Sequence, residues 1–273
     1  MRGSGIRSCT TVQQGQAQCG AQIGRSGILN RMSDPSSSGR TAVVFGARNL
    51  GRASIELLVA EGWAVTGVAR SEETLAGIAA AGALAVRGDI TDQASVRAVL
   101  EQAAAAHGAV DLVFNAAAAY GGDRSGPFGG GPIAGAPPEA FDSWAAAPAR
   151  SAFAFLSATG AFLLEQGTPA TVIQATGGSS RRAAAGRGLW AAGAFGVRAI
   201  TQATALELRE HGIHVALLII DAGIQPIADT GPVQDAAADP RELAAAVLFL
   251  AEQGARAATH ELQVTPLAER WVP

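Results

Sequence analysis

From Thr41 onward, short apolar runs alternate with longer segments whose apolar residues recur every three to four positions. Runs of strand length with no internal polar alternation point to strands buried on both faces, and the 3.6-residue period points to helices with one buried side. The pattern predicts strands at 41–45 (TAVVF), 64–69 (AVTGVA), 83–88 (ALAVRG), 110–115 (VDLVFN), 170–176 (ATVIQAT) and 213–220 (IHVALLII), with a last strand inside THELQVTP. Helices are predicted from near Gly51 through RASIELLVAEG, over SEETLAGIAAAG with Ser71 as N-cap, and over TDQASVRAVLEQAAAAHG with Thr91 as N-cap. A long helical region at 138–166 carries Pro148, which is expected to kink or split it. Further helices follow in GRGLWAAGAFGVRAITQATALELRE and in PRELAAAVLFLAEQG.

Strictly alternating strands and helices, with continuously apolar strands, imply a parallel sheet covered on both faces. Right-handed crossovers make that an α/β fold: a single doubly wound, Rossmann-like domain spanning residues 40–273. Residues 1–39 are rich in Gly, Ser and Gln and show no period. They read as a disordered tail, an extended start before Met32, or an engineered scar, and stand outside the fold.

Composition narrows the function classes. Of the 273 residues, 48% are hydrophobic and 16% charged, as a large core with a modestly charged surface requires, and a net charge of -3 leaves no basic footprint for nucleic acid. All the basic residues are arginine, so lysine catalysis, a Schiff base and a lysine phosphate clamp are excluded. Cys9 and Cys19 both fall in the N-terminal tail and cannot frame a disulfide core; a reducing cytoplasm is the expectation. The longest strongly apolar stretch, VALLII, has strand length, so no membrane partner is expected. No His/Cys/Asp spacing suggests a metal site, and G-x-S-x-G is missing.

The first strand runs into the turn VVFGARNLGRA. Gly46 and Gly51 keep the outer spacing of G-x-G-x-x-G, while Arg48 stands in place of the middle glycine. This turn, the order of elements, RGDITD, VDLVFNAA and the closing helix and strand together resemble the short-chain dehydrogenase/reductase family over about residues 41–265. The family's turn has three glycines in T-G-x-x-x-G-x-G; this one is a residue shorter and keeps two. The resemblance implies that Gly46, Arg48, Asn49 and Gly51 seat a dinucleotide. It also places Arg70 where NAD-preferring members have an acid, so that Arg48 and Arg70 would clamp the 2′-phosphate of NADP(H). Asp89 matches the residue that contacts adenine, and Asn115 opens an N-A-A-A segment matching N-N-A-G. Against this stands a vestigial pocket flanked by solvated arginines.

The family's chemistry uses a tyrosine to exchange a proton, a lysine to lower its pKa, a serine to orient the carbonyl and an asparagine to hold a relay water. The corresponding positions here are Trp190, Ala194, Gly177 and, within a residue or two, Ser151. An indole N–H cannot shuttle a proton, and the chain has one tyrosine, Tyr120, and no lysine, so the usual pair is missing. Substitutes sit at the strand ends: Tyr120, Asp123 and Arg124 after the fourth strand, Ser179 and Ser180 after the fifth, and Asp221 after the sixth. Asp221 is either a general acid or base with a raised pKa, or a cap for the turn that follows. Arg181, Arg182 and Arg187 face the same mouth and would suit an anionic small-molecule substrate, with 221–239 as its lid. The family's habit of pairing its two long helices implies a homodimer or homotetramer. Two functions remain open: an atypical NADP(H)-dependent oxidoreductase, or a cyclase, isomerase, dehydratase or silent partner on the same scaffold.

Overall fold

The computed structural model describes residues 39–118, 126–227 and 236–269. The element order starts with β1 (Thr41–Phe45), α1 (Leu50–Ala60), β2 (Ala64–Ala69), α2 (Glu72–Ala80), β3 (Leu84–Arg87), α3 (Gln93–His107) and β4 (Leu112–Asn115). After β4 come a short α4 (Pro138–Phe141), α5 (Ala147–Gln166), β5 (Ala170–Gly177), α6 (Gly188–Leu208) and β6 (Ile213–Ile220). Two-residue strands β7 (Gly223–Ile224) and β8 (Ala237–Ala238) precede α7 (Pro240–Ala251) and β9 (Glu261–Val264). The expected tail, save its last residue, lies outside the described residues.

The seven long strands form one sheet in the order β3-β2-β1-β4-β5-β6-β9, and every pair in it is parallel. Chain direction across the sheet reverses between β1 and β4, so the loops leaving those two strands part and open a crevice. Side chains alternate between two cores. Val43 and Phe45 join Val113, Phe155, Val172 and Val215 under α3, α5 and α6. Ala42 and Val44 join Phe114, Ile173, Leu218, Ile55 and Val247 under α1 and α7. That is the two-residue period of a strand buried on both sides.

Local chemistry explains several of the helix starts. Ser71 caps α2, its Oγ accepting from Thr74 N–H at 3.4 Å. The expected Thr91 cap of α3 is replaced by Asp92, whose Oδ1 accepts from Ala94 N–H at 3.0 Å. Thr91 is engaged elsewhere: its N–H and hydroxyl both donate to Asp89 Oδ1, at 2.9 and 2.8 Å. The long helix runs on through Pro148. The chain widens into a π-helical turn, Asp142–Ala146, in which Ala147 N–H donates to Asp142 O, and continues to Gln166. A proline nitrogen has no hydrogen to give, and one wider turn takes up the crowding of its ring. This helix, Pro138–Gln166, is long and apolar enough to cross a bilayer, yet Ala152, Phe155, Leu156 and Leu163 on it are core residues.

Candidate functional site

Two adjoining cavities occupy the crevice, one of about 580 Å³ beside the β1–α1 turn and one of about 230 Å³ beside α6. Leu50, Ala116–118 and Ile224 border both.

The larger cavity is built on close backbone packing. Gly46 has φ +84°, and a Cβ there would stand 2.5 Å from Ala117 N. A Cβ on Gly51 would stand 2.5 Å from Gly46 O. Both glycines are therefore required by the turn itself. Arg48 is exposed on the cavity rim. Asn49 lines the cavity as well, but its side-chain amide serves the main chain: Oδ1 accepts from Ile227 N–H at 2.8 Å and Nδ2 donates to Gln225 O at 3.2 Å. It fastens the segment after β7 across the turn.

Arg70, at the end of β2, approaches Asp89 Oδ2 at 3.7 Å with its side chain 77% exposed. Its carbonyl accepts from Arg87, which also pairs with Glu72. The Asp89 carboxyl is held below its usual range, chiefly by the Thr91 N–H, with burial opposing and the Thr91 hydroxyl and Arg70 adding to the pull. Arg48, Arg70 and Asp89 thus border one cleft, in front of an α1 N-terminus with no acid in its first turn. Its free N–H groups and partial positive charge favour an anion there.

In the smaller cavity, Asn115 and Gln174 from neighbouring strands are buried and mutually satisfied. Asn115 Nδ2 donates to Gln174 Oε1 at 2.9 Å, Ala117 N–H donates to Asn115 Oδ1 at 2.8 Å, and Gln174 Nε2 donates to Ala175 O at 2.7 Å. Asn115 therefore shapes the turn after β4 rather than offering a free amide. Gln174 escaped the sequence reading; its signal is a lone amide inside the apolar run TVIQAT. Trp190, Ala194, Ser151, Thr176 and Gly177 line the cavity too. The Trp190 ring packs edge-on to Phe128, centroids 4.6 Å apart, and Phe128 packs likewise on Trp144 at 5.2 Å. The Arg187 guanidinium lies over Phe128 at 5.4 Å. Spacing alone could not bring Phe128 to Trp190, because they lie far apart along the chain.

Two expected substitutes stand elsewhere. Ser179 belongs to a 3-10 turn, Gly178–Ser180, and does not line the cavity; Ser151 and Thr176 are the hydroxyl residues that do. Asp221 is neither an open acid nor a cap. Its neighbours Ile220 and Ala222 line the cavity, while its own carboxylate takes a two-armed bond from Arg182, 2.6 Å to Oδ2 and 2.9 Å to Oδ1. That hydrogen bond raises the Arg182 pKa further, against the effect of burial. A strand alternates its side chains, so Asp221 is turned away from the pocket between two residues that face it. Tyr120, Asp123 and Arg124 lie outside the described residues. Among the described residues no cluster of His, Cys, Asp and Glu is arranged to hold a metal.

Residues 40–224 match the family model described as short chain dehydrogenase. The 2,5-dichloro-2,5-cyclohexadiene-1,4-diol dehydrogenase of Sphingobium indicum is 28% identical over 207 residues, 74% of this chain and 80% of the relative. The sorbitol dehydrogenase of Cereibacter sphaeroides is 30% identical over 182 residues, 65% of this chain and 68% of the relative. Among solved structures, a metagenomic short-chain oxidoreductase in complex with NADP superimposes with a TM-score of 0.65 at 25% identity, over 85% of this chain and 99% of that one.

Proposed function

The chain belongs to the short-chain dehydrogenase family, and from that premise we propose that it is an NADP(H)-dependent oxidoreductase for a small organic carbonyl or alcohol, working without the tyrosine–lysine pair. The observation that carries this reading is the larger cavity, where Arg48 and Arg70 border a cleft closed at its base by Gly46 and the α1 N-terminus. The NADP complex of the metagenomic relative supports the choice of dinucleotide.

When bound, the dinucleotide supplies the hydride donor or acceptor. The chain's part is to bind and orient. The α1 N-terminus and the Gly46 turn take the pyrophosphate, Arg48 and Arg70 the 2′-phosphate, and Asp89 the adenine end. Trp190, Gly177, Thr176 and Ser151 confine the substrate beside Ala116–118. Asp221 is engaged by Arg182, so water, the substrate itself or Tyr120 exchanges the proton that accompanies hydride transfer.

A second reading is a non-redox catalyst or silent partner. The smaller cavity favours it, because no titratable side chain lines it among the described residues. Titration of the purified protein with NADPH and NADH, followed by tryptophan quenching or calorimetry, separates the two. Micromolar NADPH binding with discrimination against NADH is expected; no binding at millimolar cofactor sinks the oxidoreductase reading. Exposed Phe153 and Leu164 on α5 with Phe195 and Leu206 on α6 support a homodimer or homotetramer built on those helices, which sedimentation velocity tests.

A further inference from the structure

The crossing from β5 to α6 begins at Gly177 and ends at Trp190, both in the wall of the smaller cavity. A Cβ on Gly177 would stand 3.7 Å from Trp190 Cζ2, so the indole rests against the strand end. What holds the residues between them is a polar lattice behind that wall. Arg182 grips Asp221 with both arms, and Arg181 Nη1 donates to Gln263 Oε1 at 2.9 Å on β9. Gln263 Nε2 in turn reaches Asp221 Oδ2 at 3.4 Å. Asp221 N–H donates to Val264 O at 3.0 Å, so its backbone is fixed to the same strand.

The fit around the carboxylate is tight. A Cβ on residue 178 would fall 1.9 Å from Asp221 Oδ1, so the acid occupies space that only a glycine at 178 leaves open. With 11% of its side chain exposed, Asp221 is a nearly buried charge, whose cost is met by the two-armed guanidinium. The crossing is anchored a second time from α6, where Arg198 pairs with Glu261 of β9 at 2.7 and 2.9 Å and reaches Ser180 O at 3.5 Å.

We propose that Arg182 and Asp221 are positioning residues of the candidate site: their pair ties the β5–α6 crossing to the ends of β6 and β9 and thereby sets where Trp190 stands in the cavity wall. The inference rests on the smaller cavity being the substrate end of the site. Loosening the pair changes that end and leaves the dinucleotide cleft, on the other side of β4, as it was.

The test is fluorine NMR of the full chain labelled with 5-fluorotryptophan, whose four resonances are assigned by single Trp→Phe changes. Asp221→Asn and Arg182→Ala should each shift or broaden the Trp190 signal and leave Trp63, packed under Arg40, unmoved. The double variant should go no further than either single one, because both remove the same link. Should Asp221→Asn fail to fold, Arg182→Lys keeps the charge and loses the two-armed bond, and the same signal is read. An unmoved Trp190 signal in variants whose melting temperature falls would overturn the proposal, since the pair would then be structural only. NADPH affinity is measured alongside and should stay within two-fold of wild type; a larger loss with Trp190 unmoved places the pair's action at the other cavity and also overturns it. Failure of the wild-type chain to bind NADPH counts against the proposed function alone, because the Trp190 signal is read without cofactor.

Discussion

A Cβ added at Gly193 would stand 2.6 Å from the carbonyl oxygen of Trp144, so α6 meets the π-helical turn before α5 backbone to backbone. Pro148, four residues beyond Trp144, has no N–H with which to make the usual helical bond to that oxygen. Gly193 lies one residue before Ala194 and three after Trp190. The contact therefore sets the distance between the two helices that flank the smaller cavity. Gly193→Ala is expected to lower stability by about 1–3 kcal/mol, the usual cost of forcing one extra carbon into a closed contact. Urea unfolding followed by circular dichroism measures it; a midpoint equal to wild type would show that the helices part without cost.

Arg48 and Arg70 border one cleft from different turns. A charge-assisted hydrogen bond to a phosphate is worth roughly 1.5–3 kcal/mol, so Arg70→Ala should weaken NADPH by about tenfold or more and leave NADH nearly unchanged. Arg48→Ala should act in the same direction. Equal losses for both dinucleotides would mean that the arginines serve the shared pyrophosphate instead.

Asn49 offers a prediction about local order. Its amide makes both contacts to the segment at 225–227, so Asn49→Ala should release the Ile227 amide to solvent. Hydrogen exchange at Ile227 is expected to accelerate by about two- to tenfold, on the basis of roughly 0.5–1.5 kcal/mol per lost bond. Unchanged protection there would show that β7 and β8 hold the segment without Asn49.

His214 carries a pH dependence whose sign is fixed by its burial. Burial lowers its pKa below 6.5, against the hydrogen bond to Thr259 O, and His260 nearby lowers it further. The rings lie 5.8 Å apart. A group whose folded pKa is depressed stabilises the fold fully above its unfolded pKa and loses that contribution as pH falls through the folded value. Stability should therefore fall as pH drops below about 6.5. His214→Gln, which keeps a donor for Thr259 O, should flatten that part of the profile in thermal melts taken from pH 5 to 8.

Much of the fold is legible in the sequence. β1, β2 and β6 fall where the apolar runs place them, and Ser71 caps α2 as its hydroxyl predicts. These features follow from local rules: burial on both faces demands continuous apolar strands, and a free helix N–H takes the nearest side-chain oxygen. The cap of α3 is Asp92 rather than Thr91: Asp92 directly precedes the first helical residue, Gln93, and its Oδ1 accepts from Ala94 N–H, while Thr91 donates back to Asp89. Three neighbouring residues all able to cap leave that choice to their mutual geometry.

The candidate site divides along the same line. The chain by itself determined the family resemblance and the two glycines of the first turn, and it set the expectation that Trp190 and Ala194 take the tyrosine and lysine positions. Those are matters of residue identity and spacing along one strand–turn–helix unit. Only the tertiary structure decided that Asp221 is closed by Arg182, that Asn49 holds residues 225 and 227, and that Phe128 packs edge-on against Trp190. Each of these depends on which face of a strand a side chain takes and which distant segment is packed against it. An isolated acid at the end of an apolar strand looks available for chemistry; the guanidinium that takes it up arrives from another crossing of the sheet.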